Sequence, residues 1–120
     1  MREHLDIGIA GEQCACTHLE EQGYIILEKN WRYGRDEVDI IASMDETIVF
    51  VEVKTRTSTY AGEPYMAVGP KKQRFMVRAA DAFMKLLPTE QECRFDVIGI
   101  VMSQKNKSLE HVQDAFYPRI

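Results

Sequence analysis

Ile48-Val49-Phe50-Val51-Glu52-Val53-Lys54 is a run of strand-forming residues with a carboxylate and an ammonium set into its second half. β-branched and aromatic residues suit a pleated, half-buried strand. Side chains alternate faces along a strand, so Glu52 and Lys54 leave the same face side by side. Asp39, thirteen positions before Glu52, interrupts a second apolar run, Val38-Asp39-Ile40-Ile41. An ionised group inside an apolar strand costs stability unless it is paired or binds a metal. Three such groups in two neighbouring segments point to a use for them.

The flanking segments supply the other elements. Met44-Asp45-Glu46 makes a tight turn between strands at Val38 to Ser43 and Thr47 to Thr55, and Tyr24 to Trp31 precedes them as a further strand. The three form an antiparallel meander. Leu5 to Gln22 reads as a helix, with Leu5, Ile9, Cys16 and Leu19 on one face and Gly23 placed to end it. Glu12 falls on that face, where the pattern calls for an apolar residue. Arg56 to Gly69 carries Ser, Thr, two Gly and Pro64 and reads as a loop.

Pro70 suits the first position of a helix running from Lys71 to Leu87, which Pro88 ends. Phe75, Ala79, Ala82 and Leu86 form its apolar stripe, and Lys71, Arg74 and Arg78 a basic one. Phe95 to Met102 is a fourth strand, Lys105-Asn106-Lys107 a turn, and Leu109 to Phe116 a short fifth strand. The helix between the third and fourth strands is long enough to cross over to a parallel neighbour. The expected fold is therefore α/β, in the order αβββαββ, with a central mixed sheet flanked by helices and one domain over residues 1–120.

A chain of 120 residues, 45% apolar and 28% charged, has the composition of an ordinary globular protein. No apolar stretch approaches the length of a membrane span, and the N-terminus lacks a secretory core, so a cytoplasmic location is expected. Three cysteines without framework spacing, two of them at Cys14 and Cys16 pointing apart on a helix, read as reduced thiols. His4, His18 and His111 are scattered and show no ligand pattern. The formal charge of −4 disfavours broad coating of nucleic acid, which calls for excess Lys and Arg, but leaves room for a small site acting on it.

Neighbouring strands can bring Asp39 and Glu52 together on one sheet face. Two carboxylates with open coordination positions suit a hard divalent cation, Mg²⁺ or Mn²⁺, whose other ligands are waters and a phosphate oxygen. Such an ion lowers the pKa of bound water and offsets charge on a phosphodiester. Lys54 is placed to orient that water or to stabilise developing charge. Glu12 completes the set directly or through water, and Glu37, two residues before Asp39, is an auxiliary acid. The competing reading is a same-face ion pair at a sheet edge, which contributes little. For a lone Glu-x-Lys the ion pair is the better reading; Asp39 and Glu12 tip the balance towards function.

An Asp followed after twelve residues by Glu-x-Lys is similar to the core of the PD-(D/E)xK nucleases, the restriction-endonuclease-like superfamily, whose αβββαβ core has the order above. Gly8-x-x-Gly11-Glu12, Asn30-Trp31-Arg32, Glu37-Val38-Asp39-Ile40-Ile41, Phe50-Val51-Glu52-Val53-Lys54-Thr55-Arg56, Gly62, Lys71 and Arg94-Phe95-Asp96-Val97 resemble the successive blocks of the YraN family. The resemblance covers nearly the whole chain. It implies an endonuclease-like protein with likeness to archaeal Holliday-junction resolvases, with Glu12, Asp39 and Glu52 as metal-site acids and Lys54 as the catalytic lysine. It also implies a homodimer, since resolvase-like enzymes cut two strands symmetrically. One departure is Asp36, where the family often has Gly; it lengthens the acidic cluster and places extra negative charge near incoming phosphates.

Lys71, Arg56 and Arg74 are the candidate nucleic-acid contacts, with Lys72 and Arg78 in the same basic group; the resemblance favours Lys71, while most basic helix faces are simply solvated. Trp31 reads as a stacking platform or, more often for a sole Trp near a strand end, as core. Asp96 after Arg94 reads as a structural ion pair, and Tyr60 and Tyr65 as loop residues able to meet substrate. The leading expectation is a metal-dependent nuclease acting on DNA, branched or structured forms included. A nucleic-acid-binding module without turnover and a structural domain with an internal ion-pair network are the alternatives.

Overall fold

The computed structural model describes residues 2–57, 66–103 and 107–118, residues 2–6 by their backbone alone. Along them run α1 (Arg2–Glu21), β1 (Ile25–Tyr33), β2 (Asp36–Met44), β3 (Thr47–Arg56), α2 (Pro70–Met84), β4 (Glu92–Met102) and β5 (Lys107–Val112). The sheet order is β1-β2-β3-β4-β5. β3 and β4 pair in parallel and the other neighbours antiparallel, so α2 is the crossover and the sheet is mixed, as expected. Tyr60, Tyr65 and the first two residues of the Lys105-Asn106-Lys107 turn lie outside the described residues.

Each face of the sheet carries its own core. Ile48, Phe50, Phe95 and Val97 pack with Phe75, Met76, Ala79 and Phe83 of α2. Ile40, Val49, Val51, Ile98 and Ile100 pack with Ala15 and Leu19 of α1. The buried line of α1 is Gly11, Ala15 and Leu19, spaced four apart. Ile9, expected on that line, is 56% exposed, because two residues along a helix turn it away from Gly11. Small residues let α1 lie close to the sheet, and Gly11 sits directly against Thr55 of β3.

Several elements begin or end a few residues from where the sequence placed them, and the buried stripe of α2 differs as well. The α2 stripe is Phe75, Met76, Ala79, Ala80 and Phe83, two adjacent rows rather than one. Leu86, expected to be buried, is 71% exposed because the helix stops at Met84 and Leu86 no longer follows its face. β5 ends at Val112, before a turn with Asp114 at φ 53°. Phe116 then returns to the core and stacks on Phe95 with ring centres 4.9 Å apart. Trp31 is packed, meeting Phe83 edge-on at 5.3 Å between ring centres.

Asp96 is wholly buried on the α1 side of the sheet, and its oxygens are fully used. Arg94 donates from Nε at 2.9 Å and from a terminal nitrogen at 2.8 Å, and the Asp114 amide donates at 3.1 Å. This is the structural ion pair expected from Arg94-x-Asp96.

The Gly11 contact is testable. A methyl group there overlaps the Thr55 hydroxyl and lies 3.2 Å from Thr55 Cβ, so α1 must lift from β3. Gly11→Ala is expected to destabilise by about 1–3 kcal/mol, the usual range for overpacking, read as a lower urea midpoint at unchanged slope.

Candidate active site

β2 and β3 pair from Met44 and Thr47 as far as Ile40 and Val51, and there the ladder stops. β2 goes on pairing with β1 to Asp36, and β3 with β4 to Arg56, so the two strands part between their other neighbours. Asp39 stands at the fork. Val38 belongs to the α2-side core and Ile40 to the α1-side core, so strict alternation fails across Asp39. Its side chain turns across to β3, where Oδ2 accepts the Val53 amide at 2.7 Å. A carboxylate thus does the work of a missing ladder carbonyl.

This turn brings Asp39 into side-chain contact with Glu52. Burial first, and then the Glu52 charge, push the Asp39 carboxyl up to about 7, against the pull of the Val53 amide and Lys72. The Glu52 side chain is 16% exposed, and its Oε1 is buried without a hydrogen-bond partner among the described residues. The Lys72 ammonium stands 3.8 Å from that oxygen, an ion-pair distance but too long for a hydrogen bond.

Glu12 reaches the fork from α1. Asn30, held at φ 50°, donates its amide to both Glu12 oxygens at 3.1 and 3.3 Å. Burial raises the Glu12 pKa, the Asn30 bond opposes it, and the charges of Asp39 and Glu37 raise it further. Glu37 lies at the rim, 3.3 Å from Arg32. Glu12, Asp39 and Glu52 therefore share one electrostatic neighbourhood with Glu37 beside it.

Lys54 follows Glu52 on the same strand face, half-buried and opposite Gly99 of β4. Among the described residues no carboxylate lies within ion-pair distance of it. Arg56 continues that face and is also half-buried. Lys71 is exposed, and Arg74 lines a separate hollow with Arg78 and Tyr117, so the structure does not bring these two to the carboxylates.

Lys72, rather than its neighbour Lys71, is the α2 lysine that reaches the carboxylates. From the first turn of α2 it reaches both oxygens of Asp36, at 3.1 and 3.2 Å, and the Glu37 carbonyl at 3.3 Å. Its ammonium also lies 5.0 Å from the centre of the Phe75 ring. Against the upward push of burial, the Glu37 amide and Lys72 hold the Asp36 carboxyl below its usual range. The signal for Lys72 was its helical spacing: it falls three residues before Phe75 and four before Met76, on the buried side of the helix.

No group of three or more Asp, Glu, His or Cys among the described residues is placed to hold a metal ion, so Glu12 does not join Asp39 and Glu52 as a third direct ligand in this arrangement. Asp39 and Glu52 make an open, two-carboxylate arrangement, which is how Mg²⁺ is commonly held, with waters and phosphate oxygens as its other ligands. The partnerless oxygen of Glu52 beside a second acid is a fit for such a cation.

A five-stranded mixed sheet with a helix on each face, and acids gathered where two antiparallel strands part, is compatible with the restriction-endonuclease-like arrangement. The sequence profile of the uncharacterised protein family UPF0102 matches residues 11–100. The chain belongs to this family, which is the YraN family of the sequence blocks. It is 45% identical over 118 residues to a UPF0102 protein of Bacteroides thetaiotaomicron, covering 98% of each chain. It is 48% identical over 117 residues to one of Chlorobium phaeobacteroides, covering 92% of each. A relative in Flavobacterium psychrophilum is 40% identical over 117 residues, covering 98% of each. No helix among the described residues is long and apolar enough to cross a membrane.

The charge balance predicts an inverted mutational effect. The folded Asp39 pKa of about 7 lies above its ordinary value of 3.8, so between these pH values the native state binds more protons than the unfolded chain. Stability then falls as pH rises through that window and levels off above about 7. Glu52→Gln removes the repulsion and is expected to stabilise the metal-free protein at pH ~8 by about 1–2 kcal/mol in urea unfolding, the gain shrinking as pH drops through the window. Destabilisation instead would mark the carboxylates as a neutralised structural network.

Proposed function

We propose that the chain is a divalent-cation-dependent nuclease hydrolysing phosphodiester bonds in DNA, branched or otherwise structured DNA included. The observation that carries this reading is the Asp39–Glu52 contact, with Glu52 Oε1 buried and without a hydrogen-bond partner among the described residues. Two mutually repelling acids in apolar strands lower stability, and a cation between them removes the penalty.

Asp39 and Glu52 would hold the ion, with Glu12 joining them directly or through water and Glu37 at the rim. When bound, Mg²⁺ or Mn²⁺ lowers the pKa of a coordinated water and offsets charge on the phosphodiester. The Val53 amide fixes Asp39 in position by occupying one of its oxygens. Lys54, unpaired with any carboxylate among the described residues, presents its ammonium to a non-bridging phosphate oxygen as charge builds there. Lys72 supplies a second ammonium from the opposite wall. No acidic residue stands in the first turn of α2, and the Gly69 N-cap makes no side-chain hydrogen bond, so this helix end favours an anion. Arg56 extends the basic edge along β3, and Lys71 and Arg74 lie where the flanking duplex would pass. A two-fold homodimer in the cytoplasm, cutting paired strands, completes the reading.

One alternative is a DNA-binding module without turnover, since among the described residues no group of three or more Asp, Glu, His or Cys is placed to hold a metal ion. Purified protein is incubated with a four-way junction, single strands and duplex, with Mg²⁺ or Mn²⁺. Cleavage of at least one substrate is expected, falling by about 100-fold or more in Glu52→Ala and Lys54→Met. Binding without cleavage would select the module, and cleavage equal in Glu52→Ala would refute the site.

A further inference from the structure

The histidines that look scattered in the sequence are not all so in the fold. His18, in the last turn of α1, and His111, in β5, meet across 93 positions, with His18 Nε2 3.1 Å from His111 Nδ1. They lie near the Met44 end of β2, away from the Asp36–Asp39 end that forms the carboxylate cleft. We propose that this pair is a second cation site, taking one divalent ion of the Zn²⁺ class between His18 Nε2 and His111 Nδ1.

The buried Asp96 prepares His111 for that role. Its carboxylate lies in a bidentate pair with Arg94, so it accepts hydrogen bonds only. His111 Nε2, 2.7 Å from Asp96 Oδ2, must therefore carry the ring proton. The lone pair is left on Nδ1, the nitrogen that faces His18. A carboxylate behind a histidine fixes the ring and raises its basicity, the usual outer support of a ligating imidazole.

The spacing suits a tetrahedral ion. Two nitrogens at ~2.0–2.1 Å from zinc stand about 3.3 Å apart, about 0.2 Å more than the 3.1 Å here, and the rings must also tilt so that both lone pairs converge on the ion. The ring planes cross at 77° with centres 5.2 Å apart, so the rings do not stack and block the space between the nitrogens. When the ion enters, His18 takes its Nδ1–H tautomer and the hydrogen between the rings is gone, so no net proton is released. A hollow of about 360 Å³ adjoins the pair, lined by Gln22, Met44 and Gln113 among others. It has room for the waters that fill the remaining positions, and its amide oxygens and thioether are further donors. Arg94 is no obstacle, because Asp96 neutralises it. Imidazole nitrogens prefer borderline-soft ions and the oxygen-lined cleft prefers hard ones, so the two sites would not compete for one metal.

Co²⁺ is the probe, titrated into the whole protein and followed by its visible d–d absorption. Saturation at one equivalent is expected, without a thiolate-to-cobalt charge-transfer band from Cys14, Cys16 or Cys93. His18→Ala and His18→Gln, each checked for folding by circular dichroism, should weaken binding by at least about tenfold. Glu52→Gln should leave it unchanged, which separates this site from the cleft whatever the outcome for nuclease activity. Zn²⁺ should raise the thermal midpoint of the parent protein and not of the His18 variants. No d–d signal, a thiolate band, or equal binding by the His18 variants would overturn the proposal.

Discussion

Where β2 and β3 part, the Val53 amide loses its ladder partner, and a buried amide without an acceptor costs about 1–3 kcal/mol. Asp39 supplies the acceptor at 2.7 Å, and much else follows from that bond. It requires an acid inside an apolar strand and turns its side chain out of the alternating pattern. It also commits one oxygen to structure while keeping the group's charge. Any acceptor would satisfy Val53, but only an acid also brings negative charge up to Glu52.

The same fork explains why the carboxylates are not quenched. Lys72 could have settled on Glu52, yet its short contacts are to Asp36 and the Glu37 carbonyl, with Glu52 at 3.8 Å. Asn30 tethers Glu12 with a neutral amide, which orients the acid without cancelling its charge. Asp96, at the other end of the sheet, shows what the fold does when a buried acid is purely structural. There a bidentate arginine, a backbone amide and a histidine use every oxygen. The contrast between Asp96 and the Asp39–Glu52 pair, within one chain, is the physical ground for reading the second as a site.

Much of this was legible in the residues. The periodicity of Ile48–Lys54 placed Glu52 and Lys54 on one face, and the crossover length of the helix made β3 and β4 parallel. Asp39 was found as a misplaced charge, but its geometry was not, because alternation alone would set Val38 and Ile40 on one face and the structure divides them. Lys71 was favoured over Lys72 by resemblance, whereas one residue is a turn of about 100° on a helix and decides which lysine meets the cleft. Leu86 and Phe116 were misplaced because pattern does not mark where a helix stops or where a chain leaves a sheet and returns. The His18–His111 contact depends on α1 lying against the strand end beside β5, a tertiary fact with no local signature.

Asp36 is the residue whose meaning changes most. Read from the sequence, it adds negative charge where phosphates should arrive. In the fold its charge is answered by Lys72 at 3.1 Å, so it serves to hold an ammonium beside Glu52 rather than to repel a substrate. Glu12, Asp39 and Glu52 still outnumber the nearby Lys54, and Lys72 is shared. On the proposed reading the cleft therefore repels a phosphodiester until a cation has entered, and the order of events follows from charge alone. With a divalent ion bound, Asp39 and Glu52 would be offset by it, Glu12 by Lys54 and Asp36 by Lys72, so an incoming backbone would no longer meet net negative charge.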